Sequence, residues 1–496
     1  MLRIGTNRAS PGMVLALPVL HPGRPDHVLL KPGATLDEAS LKALNELRIP
    51  QLWIKYPQTE FLLKYADPKL LHMRGRLTRD LSTCFDAVAS DMHAELEFSS
   101  YAGAIQGLVE RIIENSDAAI FLGDMIEASD PLLTQSTTVC FLSLLMGLKL
   151  DAYLVTERAR IDPRRAQNVE NLGIGALFHD IGVLRLAPSV RERWTRTLDE
   201  NDAEFQRHVA LGFDTVRGKI PPTAAAAVLH HHQRMDGSGY PKRPRLQGLP
   251  KPLSGSEIHV FARIIGMVEL FERFRNPPRM PARSGAAGLD ARRGGCPAPR
   301  PNVEALRRVL DLVRARKLDP VVFKALLNVV PAFAPGTFVT LSDGRSCVAV
   351  GFDPTSPCRP RLAPVLGFDV DNGDLDLGET IDLRKRPDLS IVKSDGVDVT
   401  ALLFEPASVG EFDLRIQAMP LQPPVKSVGK EVGAKGGAAR PGSGSATSPA
   451  NRPMPANRPM PGPITHPGPI AHNGMGLPLP VDPKVGGTGS AGHKAA

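Results

Sequence analysis

AAAAVLHHHQRMDGSGYP, Ala224–Pro241, sets three consecutive histidines, His230, His231 and His232, at the end of an apolar alanine-rich run. The run reads as a helix, and the Asp236-Gly237 pair that follows reads as a turn. Working back along the chain, RHVALGF carries His208, and ENLGIGALFHDIGVL carries His179 beside Asp180 at the end of another apolar helix. Five of the thirteen histidines therefore fall between His179 and His232. A lone histidine is most often a hydrogen-bonded core or surface residue, but for this set the odds reverse. An unpaired buried carboxylate is costly, and metal coordination would satisfy Asp180 and its neighbours together. Imidazole with carboxylate suits Fe, Mn, Zn or Ni, and an aspartate can bridge two ions. A dinuclear centre holding a hydroxide in line with phosphorus is built for phosphodiester hydrolysis.

FHDIG, RHVALG, HHQRMDGSGYP and ARIIGMVELFERF occur in an order and spacing that resemble the HD-GYP domain, a branch of the HD metal-dependent phosphohydrolases. The resemblance covers residues 120–335. It implies a helical bundle that hydrolyses cyclic di-GMP to linear pGpG or GMP in bacterial signalling. By position, Asp180 would be the catalytic residue bridging the metals. His179 would bind one ion and His208, His231 and His232 the other. Glu269 would stand at a further ligand position, while Asp236, Gly239, Tyr240 and Pro241 would form the substrate loop. His230 precedes the matched pair and is not expected to ligate.

The chain departs from that pattern in four places. Gln135, in QSTTVCFLSLLMGLKL, stands where the resemblance implies a ligand histidine. Glu269 and Glu272 stand for aspartates, Val183 stands for the lysine after HDIG, and the segment from GYP to GSEI is longer. Pro131 lies near the position of an acidic residue, so a third metal is not expected. The ion served by Asp180, His208, His231 and His232 keeps every ligand. Its neighbour would rely on Gln135, His179, Asp180 and Glu269, and an amide is a weaker ligand than imidazole. Fe or Mn are the expected metals, with one complete site and one depleted. Losing one electrostatic donor, as at Val183, costs about 10²–10³ in rate.

The expected class is mainly α, an HD-type helical bundle carrying smaller flanking units. Residues 1–57 read as a small α/β unit, with MVLALPVL and HVLLKPG as paired strands, LDEASLKALNELRI as a helix and QLWIKY as a closing strand. Residues 67–119 read as a helical connector, 120–335 as the phosphohydrolase domain with an exposed loop at 276–301, and 336–418 as a small β module hinged on Asp343-Gly344. Residues 419–496 read as a disordered Pro/Gly-rich tail.

Of the 496 residues, 42% are hydrophobic and 23% charged, and the formal charge is +8. From Leu421 onward eight Lys/Arg face two Asp/Glu, so about +6 belongs to the tail. The remainder is near neutral, which argues against a DNA partner. Five scattered cysteines form no CxxC pair. The apolar stretch Val139–Leu148 reads as too short to span a bilayer, and a cytoplasmic location is expected. No receiver-like pocket, GGDEF-like run or EAL-like motif is found, so the flanking units are expected to serve a homodimer or a signalling partner. Two readings remain open: a cyclic di-GMP phosphodiesterase with an altered dinuclear site, and a degenerate domain that binds cyclic di-GMP or a partner protein without hydrolysis. A third, an HD phosphohydrolase acting on other nucleotides or alarmones, is disfavoured by the GYP loop.

Overall fold

The computed structural model describes residues 1–21, 24–47, 49, 51–65, 67–90, 98–115, 131–197, 199–242, 250–276, 299–369 and 374–406. The expected 276–301 loop and the expected tail therefore lie largely or wholly outside the described residues. The helices run in the order α1 Glu38–Glu46, α2 Pro68–Ser90, α3 Phe98–Glu114, α4 Pro131–Lys149, α5 Asp151–Glu157, α6 Pro163–Gln167 and α7 Glu170–Leu177. They continue as α8 Pro188–Thr197, α9 Ala203–Gln206, α10 His208–Val216, α11 Pro222–His230, α12 Val260–Arg275, α13 Asn302–Arg314 and α14 Pro320–Val329. Aspartates open several of them. Asp37 accepts from Ser40 N at 2.7 Å, Asp67 from Lys69 N at 2.9 Å, and Asp319 from Val321 N at 2.9 Å. Each satisfies a backbone donor that the first helical turn leaves unpaired.

Helix α4 is the axis of the bundle, packed against α7, α12 and α14. The run from Ser136 to Gly147 is buried. Here the sequence reading needs correction. The apolar stretch belongs to a 19-residue helix, long and apolar enough to cross a membrane by length and composition. Its side chains are instead spent on the protein core, where Phe141, Leu144 and Leu145 join residues of α2, α7 and α12. The connector helices α2 and α3 share that core through Leu70, Leu81, Ile105 and Leu108.

The strands flank this bundle. β1 Leu2–Gly5 pairs antiparallel with β4 Gln51–Ile54, and β2 Val19–His21 pairs with β3 Arg24–Leu30. The strand expected over MVLALPVL is confined to its last two residues plus His21. Met13–Leu17 makes only isolated bridges, Val14 to Thr35 and Leu15 to Ile54, and its apolar side chains enter a core rather than a ladder. Beyond the bundle, β5 Phe338–Leu341, β6 Ser346–Gly351, β7 Arg361–Asp369, β8 Asp374–Leu377, β9 Ile381–Asp382, β10 Ile391–Ser394 and β11 Val397–Asp398 form one sheet. Alternation along β6 decides where that sheet sits. Cys347 and Ala349 face the helical core, whereas Val348 packs with Leu2, Leu15 and Ile54 of the first unit. The α/β unit and the β module thus share a second small core.

One buried ionic cluster braces the bundle. Arg263 on α12 pairs with Asp319 at 3.0 Å and Glu157 at 2.5 Å, and Tyr153 donates to Asp319 at 2.7 Å. It ties α5, α12 and the start of α14 together.

Candidate metal centre

The centre lies where helix ends converge. Helix α7 stops at Leu177, and His179 and Asp180 follow at once; α10 opens on His208; α11 closes at His230, with His231 and His232 next. Helix α12 runs beside them and carries Glu269. Two glycines allow the close approach. A Cβ on Gly182 would lie 2.0 Å from the His208 carbonyl oxygen, and one on Gly266 would lie 2.1 Å from the His231 carbonyl oxygen. Any larger residue at either position would push a ligand-bearing segment outward.

The imidazoles are oriented by their own backbone. His179 Nδ1 donates to Ala176 O at 2.8 Å, His208 Nδ1 to Phe205 O at 2.7 Å and His231 Nδ1 to Val228 O at 2.8 Å. A carbonyl can only accept, so each ring carries its proton on Nδ1 and turns the Nε2 lone pair inward. Asp180 receives them on two sides. Its Oδ1 lies 3.3 Å from His208 Nε2 and 3.5 Å from His231 Nε2, and its Oδ2 lies 3.4 Å from His179 Nε2. Gln135 Nε2 donates to the same Oδ2 at 3.4 Å. His232 differs: its Nδ1 lies 3.7 Å from Glu269 Oε2 and its ring stacks on Tyr240, 4.6 Å between centroids.

Ligand atoms of Asp180, His208, His231 and His232 all fall within 4.8 Å of one another. His179 touches this group through Asp180, and Glu269 touches it through His232. His230 is buried but lies outside it. The fit to a cation rests on what these atoms lack. His179 Nε2, Asp180 Oδ1, His208 Nε2, His231 Nε2, His232 Nδ1 and Glu269 Oε2 are buried without a hydrogen bond among the described residues. Each such group costs about 1–3 kcal/mol, and lone pairs facing a carboxylate repel it. A divalent ion resolves both, and nitrogen with carboxylate is a donor set for borderline transition metals.

Electrostatics agree. Burial pushes the Asp180 carboxyl up, yet attraction to the adjoining His179 outweighs it and holds it well below the usual carboxylate range. Burial lowers His231, and lowers His232 further with help from His231 and His208, so both are neutral donors. Burial also opposes charge on His179, but Asp180 and Glu269 raise it above its ordinary value.

Beside the cluster opens a cavity of about 1110 Å³, which His232, Gly239, Tyr240 and Pro241 help to line. Asp236 does not line it: its carboxylate accepts from Ser238 N at 2.9 Å and from Ser238 Oγ at 2.7 Å, holding the turn. Val183 packs with Leu186, Val190 and Phe205. The lining brings in residues that sequence reasoning missed, notably Glu200, Arg234 and Arg273. Arg273 had a signal, since it follows Glu269 by four on one helix and pairs with it at 3.4 Å. Glu200 sits in a loop with no periodicity to mark it.

A family model for the HD domain matches residues 121–288. The chain is 24% identical over 196 residues to a cyclic di-GMP phosphodiesterase of Pseudomonas aeruginosa, covering 39% of this chain and 41% of that one. It is 27% identical over 124 residues to the cyclic di-GMP phosphodiesterase response regulator RpfG of Xanthomonas campestris pv. campestris, covering 24% of this chain and 30% of the relative. The chain thus spans less than half the length of either relative. With the histidine-aspartate cluster, the GYP loop and these matches in agreement, the chain carries an HD domain of the HD-GYP type.

Proposed function

We propose that the domain is a metal-dependent phosphodiesterase that hydrolyses cyclic di-GMP to pGpG or GMP, acting in the cytoplasm of a bacterial signalling system. One observation carries the reading: six buried, unsatisfied donor atoms cluster beside a large cationic cavity, which His232 among their residues helps to line. Asp180, His208, His231 and His232 would hold one ion, and His179 with the second oxygen of Asp180 would face another. Bound ions supply Lewis-acid charge to a phosphodiester and activate water; Fe or Mn suits the donors.

The chain's own residues do the rest. The backbone carbonyls of Ala176, Phe205 and Val228 fix three rings in the ligating tautomer. Tyr240 shields His232 from solvent by stacking on it. Burial, with Glu269 and Glu200 adding to it, keeps the Tyr240 phenol neutral, a hydrogen-bond donor at the cavity wall. Seven Lys/Arg side chains line the cavity, among them Arg207, Arg234, Lys242 and Arg273, against the single carboxylate of Glu200 among the described lining residues. That balance suits a ligand with two phosphates.

A second reading is favoured by a different observation. On the Oδ2 side of Asp180, Gln135 acts as a hydrogen-bond donor, and Glu269 is engaged by Arg273. A protein with one firm ion could bind cyclic di-GMP without cleaving it. Metal analysis of the purified chain, with turnover assayed after anaerobic Fe or Mn loading, separates the two. Linear product that disappears in Asp180→Ala supports the enzyme; tight binding with no product supports the sensor.

A further inference from the structure

Glu200 stands out in the cavity because, among the described residues, it is an anion where every other charged lining residue is a cation. It lies in the short loop between α8 and α9. Its backbone is held independently of its carboxylate, since Gln206 Nε2 donates to the Glu200 carbonyl at 2.7 Å. The carboxylate spans two guanidinium groups: Arg273 Nη2 contacts Oε1, and Arg234 Nη2 lies 3.6 Å from Oε2. Arg273 is further fixed by Glu269 at 3.4 Å and by the Trp194 ring, 5.7 Å below its guanidinium.

The partners differ in freedom. The Arg273 and Arg234 side chains are 11% and 7% exposed, whereas that of Glu200 is 39% exposed. The arginines are committed to the cavity; the part-exposed carboxylate can turn outward to water when an incoming anion takes its place on them. Two fixed guanidiniums bridged by two oxygens of one anion is also the arrangement that a phosphate group takes. Burial alone would raise the Glu200 carboxyl, but Arg273 and Arg234 outweigh it and keep it ionised.

We propose that Glu200 is a resident stand-in for a ligand phosphate, neutralising an Arg234–Arg273 clamp until an anionic nucleotide displaces it. The inference rests on the phosphodiester reading of the cavity and adds a regulatory element to it. Ligand binding becomes a competition, so the observed affinity is lower than the clamp alone would give, by the fraction of time that Glu200 is displaced.

The test measures binding of cyclic di-GMP and of inorganic pyrophosphate to the full chain in chelator-treated buffer, so that neither turnover nor metal contributes. Glu200→Gln is expected to tighten both ligands about 10-fold, and Arg273→Gln to weaken them by a similar factor. In the double variant the gain from Glu200→Gln should vanish. A gain that persists without Arg273 would mean that Glu200 acts only through its long-range charge, and the clamp would be wrong. An unchanged or weaker affinity in Glu200→Gln overturns it equally. Glu200→Ala reads the same effect should the Gln variant fail to fold. If pyrophosphate shows the pattern and cyclic di-GMP does not bind, the clamp stands and the substrate reading falls. If cyclic di-GMP binds with no dependence on Glu200, the reverse holds. Binding of neither ligand to any variant sinks both.

Discussion

Two buried polar clusters in this bundle share helix α12 and treat charge in opposite ways. Around Arg263, each charge has its partner: Asp319, Glu157 and the Tyr153 hydroxyl close the set at hydrogen-bonding distance. Around Asp180, buried lone pairs face one another without a hydrogen bond among the described residues. A fold settles the first kind of cluster for itself. It tolerates the second only where something from outside completes it, because unsatisfied buried groups weaken the empty protein. The Arg263 cluster is a brace, and the Asp180 cluster is built to bind.

The difference predicts opposite responses to mutation. The largest effect expected is on chemistry: Asp180→Ala should lower phosphodiester turnover by about 10³-fold or more, because Lewis-acid charge and water activation are lost together. Its thermal stability without metal should change little, since the burial cost of the carboxylate offsets much of its attraction to His179. Arg263→Met should do the reverse and destabilise the fold by about 3–5 kcal/mol, the usual cost of stranding buried partners. Urea unfolding of both variants in chelator checks the pair. If Asp180→Ala proved the more destabilising, the division into brace and site would fail.

Added metal sharpens the contrast. Mn at 100 times its dissociation constant should stabilise the wild type by about 2.7 kcal/mol and leave Asp180→Ala unmoved. Differential scanning calorimetry with and without Mn reads this directly. Arg263→Met should keep the same metal-dependent increment on its lower baseline.

The smallest effect concerns a histidine outside the centre. His259 accepts from Phe261 N at 3.2 Å and caps α12. Burial, then Arg158 and Arg263, lowers its pKa to about 4. The unfolded chain therefore takes up this proton first as the solution is acidified. The contribution of His259 is full above pH 6.5 and is lost as pH falls from there through about 4. Asparagine also caps helices but does not titrate. Melting curves of wild type and His259→Asn should therefore converge or cross on acidification, and a constant gap across that range would contradict the assignment.

Much of the site was legible because its residues come in chemically unusual runs. His179-Asp180 and His231-His232 each put polar groups at the end of apolar helices, and that conflict is visible in one dimension. The same logic marks Gly239, Tyr240 and Pro241, which the fold brings to the cavity wall. Residues that meet the site from elsewhere left no such trace. Glu200 and Trp194 are ordinary in their local sequence, and only the packing of α8 and the turn after it against α12 brings them to Arg273. Asp236 is expected in the substrate loop by its place in the motif; in the structure its Oδ1 holds the turn.

The fold shows the same limit. Helices with strong apolar periodicity and Asp-Pro starts, such as α14, fell where expected. β1 passed unnoticed because four residues carry too little alternation to read, and its partner β4 lies some fifty residues on. Val139–Leu148 looked short because Gln135, Ser136, Thr137 and Thr138 dilute the apolar run. In the bundle those residues continue the same helix, and Thr138 accepts from Arg74 at 2.6 Å.

Anomalous diffraction from crystals of the full chain grown with Mn, recorded near the Mn edge, tests the central claim most directly. The account predicts a peak bounded by Asp180, His208, His231 and His232, absent from Asp180→Ala crystals grown in the same way. Manganese bound elsewhere, with those four side chains left as they are, would contradict it.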